Sequence, residues 1–248
     1  MMRAKSTLFC VILLMLIFSL NGCNKKNHFD KEIVGVNANK KGDNSDEALE
    51  ENPQEKIKYD IAFSHTDNFY SDDIEVEIIS QIPSKIYYTL DGSDPDEASE
   101  PYQGPIKFTA SDETEIISLK AKAFFDDGMM SENIVHTYFI GKEVYKRFDT
   151  LVFSITTDPY NLYDYEHGIL IEGKLRDDFV KENPFVAINP DHPANYNMRG
   201  MESERESYIE VLEPDGTRVI EQLAGIRVYG GWSRAHLQKS IRILARRA

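Results

Sequence analysis

Apolar and polar positions alternate in short stretches over much of this chain, and clusters of turn-forming residues separate the stretches. Ile74-Glu75-Val76-Glu77-Ile78 places an apolar side chain at every second position, the period of a strand with one buried face. Lys85 to Leu90 is β-branched and aromatic and stops at Asp91-Gly92-Ser93-Asp94-Pro95, where Gly supplies positive φ and Asp side chains accept local N–H bonds. Ile106 to Phe108, Ile116 to Phe124 and Ile134 to Ile140 read as further strands, with Asp126-Asp127-Gly128 turning the chain between the last two. Short strands with frequent turns and no helical period predict a small antiparallel β-sandwich over residues 58–140.

The pattern resumes after a polar connector, Lys142 to Thr150, with room for one helical turn. Leu151 to Ile155 reads as a buried strand. Thr156 or Thr157 then caps a helical turn with Pro159 inside it, and Tyr163 to Gly168 turns into Ile169-Leu170-Ile171. Residues 172–200 are mixed and polar, with Pro184, Pro190 and Pro193, and predict a long loop. Tyr208 to Leu212 and Gly225 to Tyr229 read as strands, the first followed by a hairpin turn at Pro214-Asp215-Gly216. A glycine turn at Gly230-Gly231 leads to a last strand ending near Leu244. The fold class expected is mainly β: the sandwich, then an incomplete α+β domain over residues 146–248.

The first 57 residues carry none of this alternation. Arg3 and Lys5 precede an apolar run from Leu8 to Leu20, shorter than the ~20 residues of a membrane span. Leu20-Asn21-Gly22-Cys23 closes it and resembles a bacterial lipobox. Cleavage of a signal peptide of residues 1–22 would leave Cys23 as the lipid-attachment residue, anchoring an extracytoplasmic protein to the bacterial membrane. An ordinary secretory signal with an incidental cysteine is the alternative. Residues 23–57 are rich in Asn, Lys, Asp and Glu, with no aromatic residue after Phe29. Such a segment cannot offset the ~1–2 kcal/mol per residue of backbone ordering, so it reads as a disordered tether.

Charge adds one feature. The formal net charge is −14, which excludes nucleic acid as a general partner. Yet Arg227, Arg234, Lys239, Arg242, Arg246 and Arg247 follow one another with no Asp or Glu among them. Either one anion-binding site or a solvated strand face accounts for the stripe. The cysteines are Cys10 and Cys23. Loss of Cys10 with the signal leaves one thiol, which excludes a disulfide within the mature chain and a cysteine-based zinc site. The histidines lack ligand spacing, and His136 reads as a packed or surface side chain. Asp91, Asp94 and Asp96 do not have the EF-hand arrangement, so a turn held by Asx bonds is the better reading.

Two resemblances follow from these residues. Ile86-Tyr87-Tyr88-Thr89-Leu90-Asp91-Gly92-Ser93-Asp94-Pro95, Tyr102-Gln103-Gly104-Pro105-Ile106 and Leu119-Lys120-Ala121-Lys122-Ala123 resemble the chitobiase C-terminal-type β-sandwich, an immunoglobulin-like appendage without chemistry of its own. LVFSITTDPYNLYDYEHGILIEG (Leu151–Gly173), ESYIEVLEPDG (Glu206–Gly216) and GIRVYGGWSRAHLQKSIRILAR (Gly225–Arg246) resemble the N-terminal part of the spore-coat protein H (CotH) kinase family. Trp232 and Gln238 depart from that family's usual third block.

The second resemblance implies an atypical protein kinase that moves the γ-phosphoryl of ATP, with Mg²⁺, to Ser or Thr of a surface protein. It implies a cofactor site of Lys239, Arg234, Ser233, Gly230, Gly231 and Arg227. The chemistry of those residues agrees in part: glycines admit close backbone approach, Arg234 offers a planar fork, and Lys239 a point charge. Strand alternation sends Lys239 and Arg242 to opposite faces, and family placement favours Lys239. Tight-hairpin glycines and surface ion pairs are the plainer reading of the same residues. The family's metal-binding and catalytic carboxylates come later in its fold. No catalytic or metal residue is therefore carried over, and the chain ending at Ala248 is expected to be inactive as it stands. The competing function is a cell-surface binding or scaffolding lipoprotein, with Tyr70, Tyr87 and Tyr102 of the sandwich stacking on cell-wall glycan.

Overall fold

A computed structural model describes residues 58–245 of the chain. The leader, Cys23, the tether, Arg246 and Arg247 lie outside the described residues. Thirteen strands are described: β1 (Ile61–Phe63), β2 (Phe69–Tyr70), β3 (Ile74–Val76), β4 (Ile78–Ser80), β5 (Ser84–Thr89), β6 (Glu100–Pro101), β7 (Ile106–Phe108), β8 (Glu115–Phe125), β9 (Ile134–Ile140), β10 (Val152–Thr156), β11 (Arg205–Leu212), β12 (Arg218–Tyr229) and β13 (Ser240–Ala245). Two α-helices, α1 (Pro159–Tyr163) and α2 (Gly173–Glu182), lie between β10 and β11. The architecture is mainly β, and all strand pairings but one are antiparallel.

Strand β8 shows why the sandwich forms. Ile117, Leu119, Ala121, Ala123 and Phe125 all point inward, and the residues between them do not. It lies at the centre of a five-stranded sheet ordered β2-β9-β8-β5-β6. The opposing layer is split into two pairs, β1-β4 and β3-β7. The predicted strand over Ile74–Ile78 is in fact divided between these pairs at Glu77. Its inward side chains Ile74, Val76 and Ile78 stay on one face, but the ladder partner changes from β7 to β1. Ser64 binds that division, donating its N–H to the Glu77 carbonyl (2.9 Å) and accepting the Glu77 N–H on its hydroxyl (2.8 Å). Val76, Leu119 and Tyr138 at the centre are fully buried, each worth roughly 1.5–3 kcal/mol of transfer free energy.

The Asp91–Pro95 turn is an Asx turn, as the residue types predict. Asp91 Oδ1 accepts the Ser93 N–H (3.0 Å) and hydroxyl (2.6 Å), and Asp96 Oδ1 accepts the Ala98 N–H (2.9 Å). Gly92 has φ of +83°, and an added Cβ would lie 3.1 Å from both Thr156 Cγ2 and the Thr157 carbonyl. The turn therefore leans directly on the end of β10.

The second sheet is ordered β10-β11-β12-β13. One face carries Ile155, Ile209, Val211, Ala224, Ile226, Val228, Ile241 and Ile243, covered by Leu162, Ile169, Leu170 and Met198. The other face packs at its β10–β11 end on β9, where Phe69, Phe139, Val144, Val152 and Leu212 form one buried cluster. Val144 belongs to the single 3-10 turn of the connector, Val144–Lys146, and is fully buried there. Strand β9 is thus covered on both faces. Residues 58–245 fall within one compact unit.

Three local expectations are corrected. The cap of α1 is Asp158 rather than Thr156 or Thr157: its Oδ1 accepts the Tyr160 N–H at 2.7 Å, with Pro159 at the first helical position. Both threonines are buried, and Thr157 Oγ1 is spent on the Glu206 carbonyl. Residues 173–182 form a helix instead of loop, and β12 starts at Arg218, well before Gly225. Asp158 Oδ2 also accepts the Asp94 N–H of the sandwich turn at 3.0 Å. Asp158→Ala is therefore expected to lower stability by about 1 kcal/mol, the usual cost of a cap, and to raise amide exchange at Asp94 as well as Tyr160. Hydrogen exchange that changes at Tyr160 alone would contradict the shared role.

Candidate functional site

The basic stripe runs from the end of β12 through the glycine turn, a 3-10 turn over Trp232–Ala235, and into β13. Gly230 has φ of +119°, and an added Cβ would collide with Ser233 Oγ. Gly231 opens onto free space. Opposite this turn lies the segment after α2, where Asn195–Asn197 form a short 3-10 turn and Tyr196 is buried.

The predicted site residues gather at this end of the sheet but have different tasks. Arg234 is 5% exposed. Its Nε donates to the Gly230 carbonyl (2.7 Å) and its Nη1 to the carbonyls of Tyr196 (3.1 Å) and Met198 (3.0 Å). Burial, reinforced by the fields of Arg199 and Arg242, pulls its guanidinium below the ordinary arginine value. Arg227 pairs with Glu204 on the other face of the sheet. Lys239 Nζ donates to the His236 carbonyl (2.8 Å) and stands 4.8 Å from the centre of the Tyr196 ring. Burial lowers its ammonium below the ordinary lysine value, with Glu172 opposing. Arg242 lies 4.0 Å from the Tyr229 ring centre, whereas Lys239, just before β13, reaches the Tyr196 ring. Trp232 is mostly exposed, and its Nε1–H donates to Asp191 Oδ2 at 2.6 Å.

A residue that the sequence reading passed over completes the group. Arg176 of α2 is 4% exposed. Its Nη2 donates to the Tyr196 hydroxyl at 2.9 Å, and that hydroxyl faces Glu172 Oε1 at 3.3 Å. Arg176 Nε and Nη1 have no hydrogen-bond partner. An arginine inside a polar segment gives no sequence signal of burial, so only the packing of α2 over Tyr196 identifies it. Arg205 is a third buried arginine of this region. It donates to the carbonyls of His167, Glu202 and Glu204, the His167 bond from Nη2 being 2.6 Å.

Carboxylates are differently placed. Asp158 caps α1, and Asp164 Oδ1 accepts the Glu166 (2.9 Å) and His167 (2.8 Å) N–H groups. Among the described residues no group of three or more His, Cys, Asp and Glu is placed to hold a metal ion. The sandwich tyrosines are half-buried: Tyr70 packs against Tyr138, Tyr87 edge-on against Phe124, and Tyr102 against the sandwich core. Burial, the largest cause, pushes the Tyr70 hydroxyl up to about 12. No described helix is long and apolar enough to cross a membrane.

His136 joins a buried polar group between the sheets. Its Nε2 bonds the Asp67 carbonyl (2.8 Å), and its Nδ1 lies 3.0 Å from Arg218 Nη1 and 3.3 Å from Glu210 Oε1. The guanidinium can only donate and the carboxylate can only accept, so the protonation of the ring decides which of them Nδ1 bonds.

A family model described as chitobiase/beta-hexosaminidase C-terminal domain matches residues 66–137, from just before β2 into β9. No curated protein and no solved structure matches the chain. The resemblance of the second sheet to the CotH kinases gains no support from these comparisons.

Proposed function

We propose that residues 146–248 form the phosphate-facing wall of a CotH-type nucleotide site, fixed to a non-catalytic β-sandwich and carried on the bacterial cell surface by a lipid on Cys23. The whole activity proposed is transfer of the γ-phosphoryl of ATP to a Ser or Thr hydroxyl of a surface protein. The hydroxyl oxygen bonds the γ-phosphorus and gives up its proton to solvent, the bridging P–O bond breaks, and ADP leaves with the bond's electron pair. One observation carries the reading. In a protein of net charge −14, Arg176, Arg234 and Lys239 converge on Tyr196, with Arg199 and Arg242 close enough to act on Arg234. Cations crowded in this way repel one another, and a bound polyanion relieves the repulsion.

The division of labour follows from the contacts. Lys239 is the mobile cation that could turn from the His236 carbonyl to a phosphate oxygen. In the glycine turn before it, the backbone at Gly231 is open and Ser233 Oγ lies against Gly230. Arg234 shapes the turn and contributes its field without leaving its carbonyls. The Mg²⁺ that accompanies ATP finds no matching carboxylate set among the described residues, so no step of transfer is assigned to them. Binding is the task they can perform.

The test is calorimetric titration of the full chain with ATP and Mg²⁺. Millimolar or tighter binding is expected, weakening about tenfold in Lys239→Met, which corresponds to ~1.4 kcal/mol. Absence of any binding, or binding indifferent to Lys239, would overturn the proposal.

A further inference from the structure

The Arg176 guanidinium is the least satisfied polar group of the described residues. Its side chain is 5% exposed, and two of its three nitrogens lack a hydrogen-bond partner. Leaving a buried donor unpaired is costly, and more so for a charged one. Its ion-pair partner among the described residues is Glu172, whose Oε1 stands 3.5 Å from Nε without a hydrogen bond. Glu172 is 61% exposed at its side chain, so one of its faces already belongs to solvent. The same carboxylate meets the Tyr196 hydroxyl (3.3 Å) and acts on Lys239. Three groups that favour a tetrahedral oxyanion therefore surround one loosely held carboxylate: a guanidinium, an ammonium and a hydroxyl.

We infer that Arg176, Tyr196 and Lys239 form an oxyanion subsite for a phosphate group, with Glu172 as its resident competitor. Glu172 holds the position of the anion through a long contact, leaving Arg176 Nη1 unsatisfied. An incoming phosphate displaces the Glu172 side chain outward and takes up the free N–H groups of Arg176 in the two-pronged manner that suits a guanidinium. The subsite rests on the proposed function only for the wider ligand, because phosphate recognition by these groups needs no kinase chemistry. It goes beyond that function in giving Glu172 the place that the incoming phosphate takes.

The variant that separates the alternatives is Glu172→Gln, which removes the competing charge from an exposed side chain and spares the fold. Titrations of the full chain with pyrophosphate, ATP and O-phosphoserine identify the source of the phosphate. Pyrophosphate binding is expected to tighten about tenfold in Glu172→Gln, or ~1.4 kcal/mol. The gain is expected to vanish in Glu172→Gln combined with Arg176→Met, with circular dichroism and melting confirming that the double variant is folded. If it is not, a shift of the Arg176 Nε–H resonance in the single variant on adding pyrophosphate replaces it. Unchanged or weaker binding in Glu172→Gln, or an unmoved Arg176 resonance, would overturn the subsite. ATP binding that depends on Lys239 but ignores Glu172 and Arg176 would remove the subsite and leave the proposed function. Pyrophosphate binding that tightens in Glu172→Gln, with no added affinity for ATP, would do the reverse.

Discussion

Replacing Glu210 with glutamine is expected to cost about 3–5 kcal/mol of stability, the range for breaking a buried charge network. Glu210 has no exposed surface. Strand β2 is only two residues long and stops beside Phe139 and Ile140, which leaves the outward N–H and C=O of Thr137 without a strand partner. Side chains take its place. Asn68 Nδ2 donates to the Thr137 carbonyl (2.8 Å) and to Glu210 Oε1 (2.9 Å), and Glu210 Oε2 accepts the Thr137 N–H (2.9 Å). Arg218 Nη1 adds a bond to Oε1 at 3.2 Å. Asn68, Thr137 and Arg218 all donate to it. A glutamine turned either way points an NH₂ group at one of them, so isosteric replacement does not help. Chemical unfolding of wild type and Glu210→Gln measures the loss, and a difference under 1 kcal/mol would show that the junction is not a stability element.

The same residue sets an acid limit. Burial pushes its carboxyl upward, but the contacts with His136, Thr137 and Asn68 outweigh burial and hold it below the ordinary value of 4.5. The unfolded chain therefore binds the proton more readily than the folded one. Its contribution is full above about 4.5 and is lost as pH falls through the lower native value. Melting temperature should drop more steeply with acidification below pH 4.5 in wild type than in Glu210→Gln.

This junction shows what the sequence could and could not reveal. The strands of the sandwich follow from period two, because most have one inward face: Ile117, Leu119 and Ala121 are wholly or almost wholly buried while Glu115 is exposed. Strand β9 also reads as a strand, yet Thr137 and Phe139 on one face are as buried as Tyr138 on the other, because a second sheet lies on them. Nothing in Ile134–Ile140 distinguishes solvent from another sheet. Helix α2 escaped for a related reason. Leu175 and Val180 remain about 40% exposed and the buried residue is Arg176, so there is no apolar stripe to read. The early part of β12 has no period-two pattern, since Val219-Ile220-Glu221-Gln222-Leu223 pairs like residues, and all five are exposed. The basic stripe was visible as composition. Whether each N–H faces a carbonyl, a carboxylate or open space depends on contacts between distant segments.

Arg234 illustrates that last point and carries the second large effect: Arg234→Met is expected to cost about 3 kcal/mol and to disorder the glycine turn. Its three acceptors lie in three directions, at Gly230, Tyr196 and Met198. A planar guanidinium can address all of them from one buried position, whereas methionine addresses none. Each carbonyl deprived of its partner costs roughly 1–3 kcal/mol if it stays buried, and partial access of water to the turn keeps the sum near the lower bound. Lysine should rescue little, since one ammonium cannot span acceptors held by Nε and Nη1 together. Arg227→Ala removes a partly exposed pair with Glu204 instead and should cost no more than about 1 kcal/mol. Hydrogen exchange supplies the decisive contrast: Arg234→Met should release amides of the 196–198 and 230–236 segments together, because one side chain ties them, while Arg227→Ala should leave both protected. Equal behaviour of the two variants would mean that Arg234 is only another member of a charged surface. The expected difference instead makes it the post on which the glycine turn is built.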